Sequence, residues 1–272
     1  MDDRQDHLPL MASLLDPTAR GRVILVGAGP GDPGLLTVRA VEALRAADVV
    51  VHDGLIDPRV LDLAPPQAHR ISVAKQRARH TLPQEAINAL IVAHVKLGQV
   101  VVRLKGGDPF IFGRGGEEVE AVREAGLPVE VIPGVSAALG CAAEAMLPLT
   151  HRDWSSAVSF VAGQCKGLSE QDWSGLAGKG RTLVIYMGVA TASDIADKLM
   201  ADGVAPDMPV AVLEKGTLAN HRALRTLLAD LGDMVAREGV QSPAIIVVGE
   251  VVLLADAEDR LGKLAAHAEF MA

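Results

Sequence analysis

Short apolar runs alternate with helical patterns along the first half of the chain. Residues 23–27 and 48–51 have the Val-rich character of strands and residues 35–46 have helical spacing, so the pattern predicts a β-α-β opening. The same signals predict helices over residues 84–96 and 116–125 and strands over residues 100–104 and 128–132. Because these strands are apolar on both faces, we expect an α/β domain with a parallel sheet covered by helices.

The second half shows the same alternation and predicts a second α/β domain. The predicted elements are strands over residues 157–161, 182–187, 209–213 and 244–248 and helices over residues 192–201 and 225–237. An apolar run at residues 251–254 follows the last strand after only Gly249 and Glu250. We expect it to form a bulge or bend that extends or re-pairs that strand.

Pro133 and Gly134 interrupt the pattern near the middle of the chain. A helix of small residues over 136–145, with Ser136 as its N-cap, is predicted to follow. We therefore expect two α/β domains after a tail. The expected boundaries are a disordered N-terminal tail over residues 1–20, an N-terminal domain over residues 21–133 and a C-terminal domain over residues 134–260.

Composition restricts the classes of function. The net charge of −8 and the pI of about 5.5 argue against a general nucleic-acid or anionic-membrane surface, although they leave room for a local basic pocket. The N-terminus opens with acidic residues and lacks a secretory-signal pattern, so a cytoplasmic protein is expected. No apolar run is long enough to span a bilayer. Cys141 and Cys165 lack C-x-x-C spacing, so we predict neither a disulfide framework nor a metal site.

The loop over residues 27–34 lies between a predicted strand and a predicted helix, where it could hold an anion or nucleotide. The dinucleotide fingerprint G-x-G-x-x-G fails, since Asp32 stands in place of the third glycine and Pro30 has no N–H to donate. Asp53, 22 residues after Gly31, keeps an NAD-dependent oxidoreductase as an alternative. A rigid turn is the structural interpretation of the same loop.

A glycine-dense turn follows the predicted strand over residues 100–104. Parallel sheets bind ligands at the carboxyl ends of their strands, and Asp108 in this turn could accept from a ribose or an ammonium group. Arg114 and Glu117 are spaced to orient each other in a cleft. The alternative is that Glu117 and Glu118 compensate the helix dipole, with Arg114 in a surface pair.

Further candidate residues lie outside these two loops. The small residues over 136–140 would let a flat ligand or another backbone approach a helix start. Met187 ends a strand, where core filling and ligand lining are both open. A set of basic residues, called the basic group below, is consistent with either a solvated loop or a site that binds a polycarboxylate. Its members are Lys75, Arg77, Arg79, His80 and Arg152.

Three segments together resemble the tetrapyrrole methylases, and among them the uroporphyrinogen-III C-methyltransferases. The segments are VGAGPGDPGLLT at residues 26–37, RLKGGDPFIFGRGGEE at residues 103–118 and IPGVSAALG at residues 132–140. LPLTHR, TLVIYMGV, PVAVLEKGT and PAIIVVGEVV resemble the remaining family signatures, in order. The resemblance extends over residues 21–254.

The resemblance implies two α/β domains with S-adenosyl-L-methionine in the cleft between them. It implies a cofactor site lined by Pro30, Gly106, Gly107, Asp108, Ile111, Ser136, Ala137, Met187 and Ala244. The basic group, Lys75, Arg77, Arg79, His80 and Arg152, would then anchor the carboxylates of the substrate. The implied assembly is a homodimer.

The implied reaction methylates uroporphyrinogen III at C2 and C7, giving precorrin-2 by way of precorrin-1 and leaving S-adenosyl-L-homocysteine. Arg114, with Glu117 beside it, is the family's candidate for proton removal. A guanidinium pKa above about 12 leaves charge stabilisation as the alternative role. A later precorrin methyltransferase of cobalamin synthesis, the NAD-dependent oxidoreductase and a non-catalytic cofactor-binding regulator remain rival functions.

The chain departs from the family pattern at three positions, each of which bears on substrate contacts. Gln76 stands where arginine is common, Gln164 where histidine is common and His221 where glutamine is usual. The chain ends without the dehydrogenase-chelatase module of some relatives, so the methyltransferase alone is expected. Its sequence does not distinguish a route to cobalamin, siroheme or haem d1.

Overall fold

The computed structural model describes residues 21–74, 82–164 and 172–256. The chain divides into two compact units, Met1–Ser136 and Ala137–Ala272. From sequence the second domain was expected to begin at residue 134. Each unit has its own five-stranded sheet, and this α/β character agrees with the predicted fold class.

The first unit is built on a fully parallel sheet with strand order β3-β2-β4-β1-β5. Its strands are β1 (Arg22–Gly27), β2 (Val49–His52), β3 (His69–Ser72), β4 (Val100–Lys105) and β5 (Val129–Ile132). Apolar strands at the centre of the sheet are buried on both faces, as shown by Val23, Ile24 and Leu25 of β1. The parallel sheet predicted for this half is confirmed, although the exposed edge strand β3 was missed.

Within residues 21–74 and 82–136, four helices accompany this sheet: α1 (Val38–Arg45), α2 (Pro58–Leu61), α3 (Gln84–Lys96) and α4 (Gly115–Glu124). Helix α1 begins three residues later than predicted because the Thr37 side chain caps it, accepting from Ala40 N at 3.1 Å. Pro33–Leu35 forms a separate 3-10 turn capped by Asp32. Helix α4 follows Arg114, which has a left-handed φ of 58°.

The second unit contains a mixed sheet with strand order β6-β7-β10-β8-β9. Its strands are β6 (Ser155–Ala162), β7 (Gly180–Tyr186), β8 (Pro209–Glu214), β9 (Arg222–Leu227) and β10 (Ala244–Val248). Strands β6 and β7 are parallel, whereas the other neighbours are antiparallel. The helices are α5 (Ala137–Glu144), α6 (Ala192–Ala201) and α7 (Leu231–Arg237). Helices α6 and α7 contribute Ile195, Leu199 and Leu231 to its core.

Two predictions for the second half are wrong. The helix expected over residues 225–237 is strand β9, a 3-10 turn at Leu228–Asp230 and the short helix α7. The side chains of β9 alternate between half-buried and exposed, as an edge strand requires. The apolar run after β10 lies in a 3-10 helix, Glu250–Asp256, and does not extend the strand. Gly249, with φ of 153°, makes the bend.

The described ranges contain no helix that combines the length and the apolar character needed to cross a membrane.

Candidate active site

Three glycines meet at the carboxyl edge of the first sheet. Gly27 ends β1, Gly107 follows β4 and Gly134 follows β5. A Cβ on Gly27 would lie 2.4 Å from the Gly134 nitrogen, and a Cβ on Gly134 would lie 2.3 Å from the Gly107 oxygen. The three main chains therefore touch directly and leave bare backbone at the edge where parallel sheets bind ligands. Of the three, only Gly107 was a predicted site residue.

The turn after β4 is held by the Asp108 carboxylate. Its Oδ1 accepts from Phe110 N at 2.9 Å, and its Oδ2 accepts from Gly134 N at 3.1 Å. Asp108 was expected to accept from a ligand, and the structure gives it main-chain partners within the protein. Each carboxylate oxygen has a second lone pair, so the ligand role stays a prediction. Ile111, also a predicted site residue, is half-buried in this turn.

Arg114 and Glu117 form a bidentate pair at the start of α4. Arg114 Nε donates to Glu117 Oε1 at 2.8 Å, and Nη2 donates to Oε2 at 2.6 Å. The side chains are 56% and 49% exposed. The hydrogen bond from Arg114 lowers the pKa of the Glu117 carboxyl, and the same bond raises the pKa of the guanidinium. The mutual orientation expected from their spacing is present, and both groups are ionised at neutral pH.

Glu118 is buried in the first turn of α4, where dipole compensation stays a prediction and further partners hold its carboxylate. Its carboxylate is fully buried and accepts from Arg103 Nε at 2.8 Å. Lys105 Nζ lies 3.1 Å from its Oε2, and Gln84 Nε2 donates to its Oε1 at 3.3 Å. Burial of a carboxylate is costly unless it has such cationic and hydrogen-bonding partners.

Asp53 completes this set of charges. Its Oδ1 lies 2.5 Å from Arg103 Nη2, and its Oδ2 lies 3.9 Å from Lys105 Nζ. The pKa of Lys105 is lowered, first by burial and then by the neighbouring Arg103. Burial also acts to lower the pKa of Arg103, but Asp53 and Glu118 together raise it. Sequence reasoning missed Arg103 and Lys105, whose signal was two cations inside an otherwise apolar strand.

In the second unit, three predicted cofactor residues lie near one end of the sheet. Ala138, which follows Ala137 at the start of α5, donates its N–H to Tyr186 Oη at 3.0 Å. Tyr186 pairs with Ile245, so Met187 and Ala244 lie at the same end of β7 and β10. Core filling is wrong for Met187, whose side chain is 46% exposed at a φ of 55°. This half-exposed thioether keeps the ligand-lining prediction open.

The remaining predicted site residues are placed as follows. In the first unit Pro30 is half-buried and adjoins Gly29, which exchanges two backbone hydrogen bonds with Gly107, and Ser136 is buried. Arg152 is exposed and lines an open depression with Thr150, His151, Ser155 and Ser156. Gln164 and His221 are exposed. Lys75, Gln76, Arg77, Arg79, His80 and Cys165 lie outside the described residues.

Comparison with known proteins identifies the family. The family model described as Tetrapyrrole (Corrin/Porphyrin) Methylases matches residues 22–232. The chain belongs to the tetrapyrrole methylase family. The resemblance seen in the sequence motifs is thereby confirmed, and the two α/β domains agree with the solved tetrapyrrole methylase structures.

Two siroheme synthases are among the curated proteins that are similar to this chain. The chain is 50% identical over 239 residues to a siroheme synthase of Pseudomonas fluorescens, covering 88% of this chain and 52% of that protein. A siroheme synthase 2 of Cronobacter sakazakii is 46% identical, with 94% of this chain and 56% of that protein covered. The chain thus spans about half the length of these curated relatives.

Two solved structures have similar TM-scores to this chain but different sequence identities. Uroporphyrin-III C-methyl transferase from Thermus thermophilus, complexed with S-adenyl homocysteine, is 40% identical with a TM-score of 0.73, covering 85% of this chain and 93% of that chain. A cobalt precorrin-4 methyltransferase is 26% identical with a TM-score of 0.77, covering 88% and 99%. Fold similarity is therefore about equal for the two enzymes, and sequence identity distinguishes them.

A resident metal has no candidate site in the part of the chain that the structure describes. No group of three or more His, Cys, Asp or Glu side chains there could hold an ion.

Proposed function

We propose that the chain is an S-adenosylmethionine-dependent C-methyltransferase that methylates uroporphyrinogen III at C2 and C7 to give precorrin-2. The observation that carries the proposal is the 40% identity, over 93% of its length, with the Thermus thermophilus enzyme crystallised with S-adenyl homocysteine. The matched half of the siroheme synthases supports the same substrate.

The carboxyl edge of the first sheet fits the methyl donor. A Cβ placed on Gly106 would meet only Leu55 Cβ, at 3.9 Å, so the backbone there is open to a ligand. S-adenosylmethionine supplies the methyl group when it is bound. We assign its binding to Pro30, Gly106, Gly107, Asp108, Ile111, Ser136, Ala137, Met187 and Ala244.

For Arg114 we propose substrate binding and charge stabilisation. Glu117 raises the pKa of the guanidinium, so Arg114 is a poorer proton acceptor than a free arginine. Two of its five N–H groups contact Glu117, and three remain for a substrate carboxylate. Glu117 keeps the guanidinium oriented for that contact. The exposed Arg152 is proposed as a second carboxylate anchor, together with Lys75, Arg77, Arg79 and His80.

Anaerobic incubation of the chain with uroporphyrinogen III and S-adenosylmethionine tests the function. We expect a tetrapyrrole carrying two added methyl groups, and S-adenosylhomocysteine in a two-to-one ratio to it. Glu120→Gln serves as a control that should retain the wild-type product yield, because Glu120 is an exposed carboxylate on the same helix as Glu117. Absence of the dimethylated product would refute the proposal. Methylation of a later precorrin in its place would favour the alternative cobalamin-pathway enzyme.

The homodimer, which the family resemblance supports, and a cytoplasmic location are also proposed. Light scattering of the full chain at micromolar concentration tests the assembly. A mass of one chain at all concentrations would contradict the homodimer.

A further inference from the structure

Four charged side chains form a buried charge cluster at the carboxyl end of β4. The cluster consists of Asp53, Arg103, Lys105 and Glu118, and it contains two cations and two carboxylates. Arg103, Lys105 and Glu118 are at most 3% exposed. Charges removed from water in this way persist only when they are paired, so loss of one member unbalances the others.

Two members of the cluster, Lys105 and Glu118, flank the segment that carries Arg114. Glu118 lies four residues after Arg114, in the first turn of α4. On the other side of Arg114, a Cβ on Gly113 would lie 3.1 Å from Lys105 Cε, so the lysine side chain runs beneath that turn. Glu118 is bonded to Arg103 and approached by Lys105, both on β4, which fixes the start of the helix relative to the strand.

Arg114 needs such support because its backbone is strained. A φ of 58° is unfavourable for a residue with a Cβ and persists only where the surroundings hold it. Its own side chain makes no cap hydrogen bond to the helix. Glu117, its partner, has its carbonyl oxygen 3.5 Å from Asn88 Nδ2. The helix start, where Glu118 is anchored, therefore constrains Arg114 together with the hydrogen bond from Gly115 N to Pro109 O at 3.1 Å.

We propose that Glu118 is a positioning residue that acts through Arg114. Its buried carboxylate, held by Arg103 and Lys105, fixes the first turn of α4 and so presents the Arg114 guanidinium and its partner Glu117 to the substrate. The inference rests on the proposed function for its kinetic readout. It assigns to the buried charge cluster a role in turnover beyond its contribution to folding.

A double-mutant cycle between Glu118→Gln and Arg114→Lys tests this coupling. Glu118→Gln should lower kcat by about 10- to 100-fold in the wild-type background, because small displacements of a binding group cost that much. In the Arg114→Lys background the same substitution should lower kcat by less than about threefold, since the group that it positions is already altered. All rates are measured well below the unfolding midpoint of the least stable variant.

Equal fold-losses in the two backgrounds would overturn the proposal, because a purely structural role lowers activity regardless of Arg114. Glu120→Gln, an exposed change on the same helix, should leave kcat unchanged. If Glu118→Gln does not fold, Lys105→Met replaces it in the cycle. This variant removes one cation and leaves the hydrogen bond from Arg103 to Glu118 in place.

A second measurement does not depend on turnover. The Arg114 Nε–H resonance, assigned by its loss in Arg114→Lys, should exchange slowly with water while it donates to Glu117. Glu118→Gln should speed that exchange by about tenfold or more, and unchanged exchange would contradict positioning. A wild-type chain that yields no methylated product refutes the proposed function, whereas the exchange result decides the positioning role by itself.

Discussion

The contact of three glycines at the sheet edge makes Gly134→Ala the most direct test of the fold there. The added Cβ would lie 2.3 Å from the Gly107 oxygen and 2.8 Å from the Gly27 Cα and carbonyl carbon. All of these are backbone atoms of neighbouring strand ends. Gly107 is additionally held by two backbone hydrogen bonds to Gly29, so it has little freedom to move away.

The expected cost follows from this geometry. Overpacking a well-packed site lowers the free energy of unfolding by about 1–3 kcal/mol. Because no flexible side chain in the contact can move aside, we expect a loss of about 3 kcal/mol for Gly134→Ala. Gly116→Ala is the matched control, because Gly116 lies in α4 and has no atom within 4 Å of an added Cβ. In a helix that change should add about 0.5–1 kcal/mol of stability.

Urea denaturation distinguishes the two variants. Trp154 and Trp173, the only tryptophans of the chain, belong to the second unit, so their fluorescence reports on that unit alone. Far-UV circular dichroism reports on both units. The free energy of unfolding obtained from the circular dichroism transition should be about 3–4 kcal/mol lower for Gly134→Ala than for Gly116→Ala. Equal stability of the two variants would refute the argument that the glycines are required by close contact.

Three further predictions concern single side chains. Arg114→Lys should lower kcat by about 10- to 100-fold in the methyltransferase assay, because lysine cannot form the bidentate contact with Glu117, and near-normal turnover would contradict a role for the guanidinium. Met187→Gly should raise the free energy of unfolding by about 1 kcal/mol, because glycine relieves the left-handed φ of 55° at this position. The same change should weaken the binding of S-adenosylhomocysteine measured by calorimetry, and unchanged binding would argue against a ligand-lining role for Met187. Burial raises the pKa of the Cys141 thiol to about 11, above the value in an unfolded chain, so its stabilisation is complete below about pH 9 and lost as the pH rises to about 11. Urea denaturation across that range should show a fall of up to about 2–3 kcal/mol that is absent in Cys141→Ala, and equal falls would refute it.

The interior strands and the edge strands β5 and β6 were predicted from sequence, whereas the edge strands β3 and β9 were not. β1 and β10 are buried on both faces, and uninterrupted apolar runs are the sequence signal of that environment. β3 (His69–Ser72) has mostly exposed side chains, and β9 (RALRTL) carries two arginines and alternates only in burial. A short polar segment becomes a strand through backbone pairing with its neighbour, which composition does not record.

The candidate site was predictable to the extent that glycine and charge mark it. The turn after β4 was found from its glycines, and the pairing of Arg114 with Glu117 was found from their spacing. The burial of Glu118 was missed, because its partners Arg103 and Lys105 lie 15 and 13 residues away in sequence. An ion pair between a helix and a strand depends on tertiary packing. The sequence signal of a glutamate in the first turn of a helix is therefore the same whether the side chain is buried or solvated.

The dinucleotide alternative fails on hydrogen bonds as well as on sequence. In the first loop, Ala28 N donates to Lys105 O at 2.8 Å and Gly29 N donates to Gly107 O at 3.2 Å. Gly34 N, near the helix start, donates to the Asp32 carboxylate at 2.8 Å. A pyrophosphate would have to displace these bonds and also approach the negative charge of Asp32. Asp53, which kept the oxidoreductase alternative open, is paired through Oδ1 with Arg103, but the hydrogen bonds within the loop carry the objection to a dinucleotide.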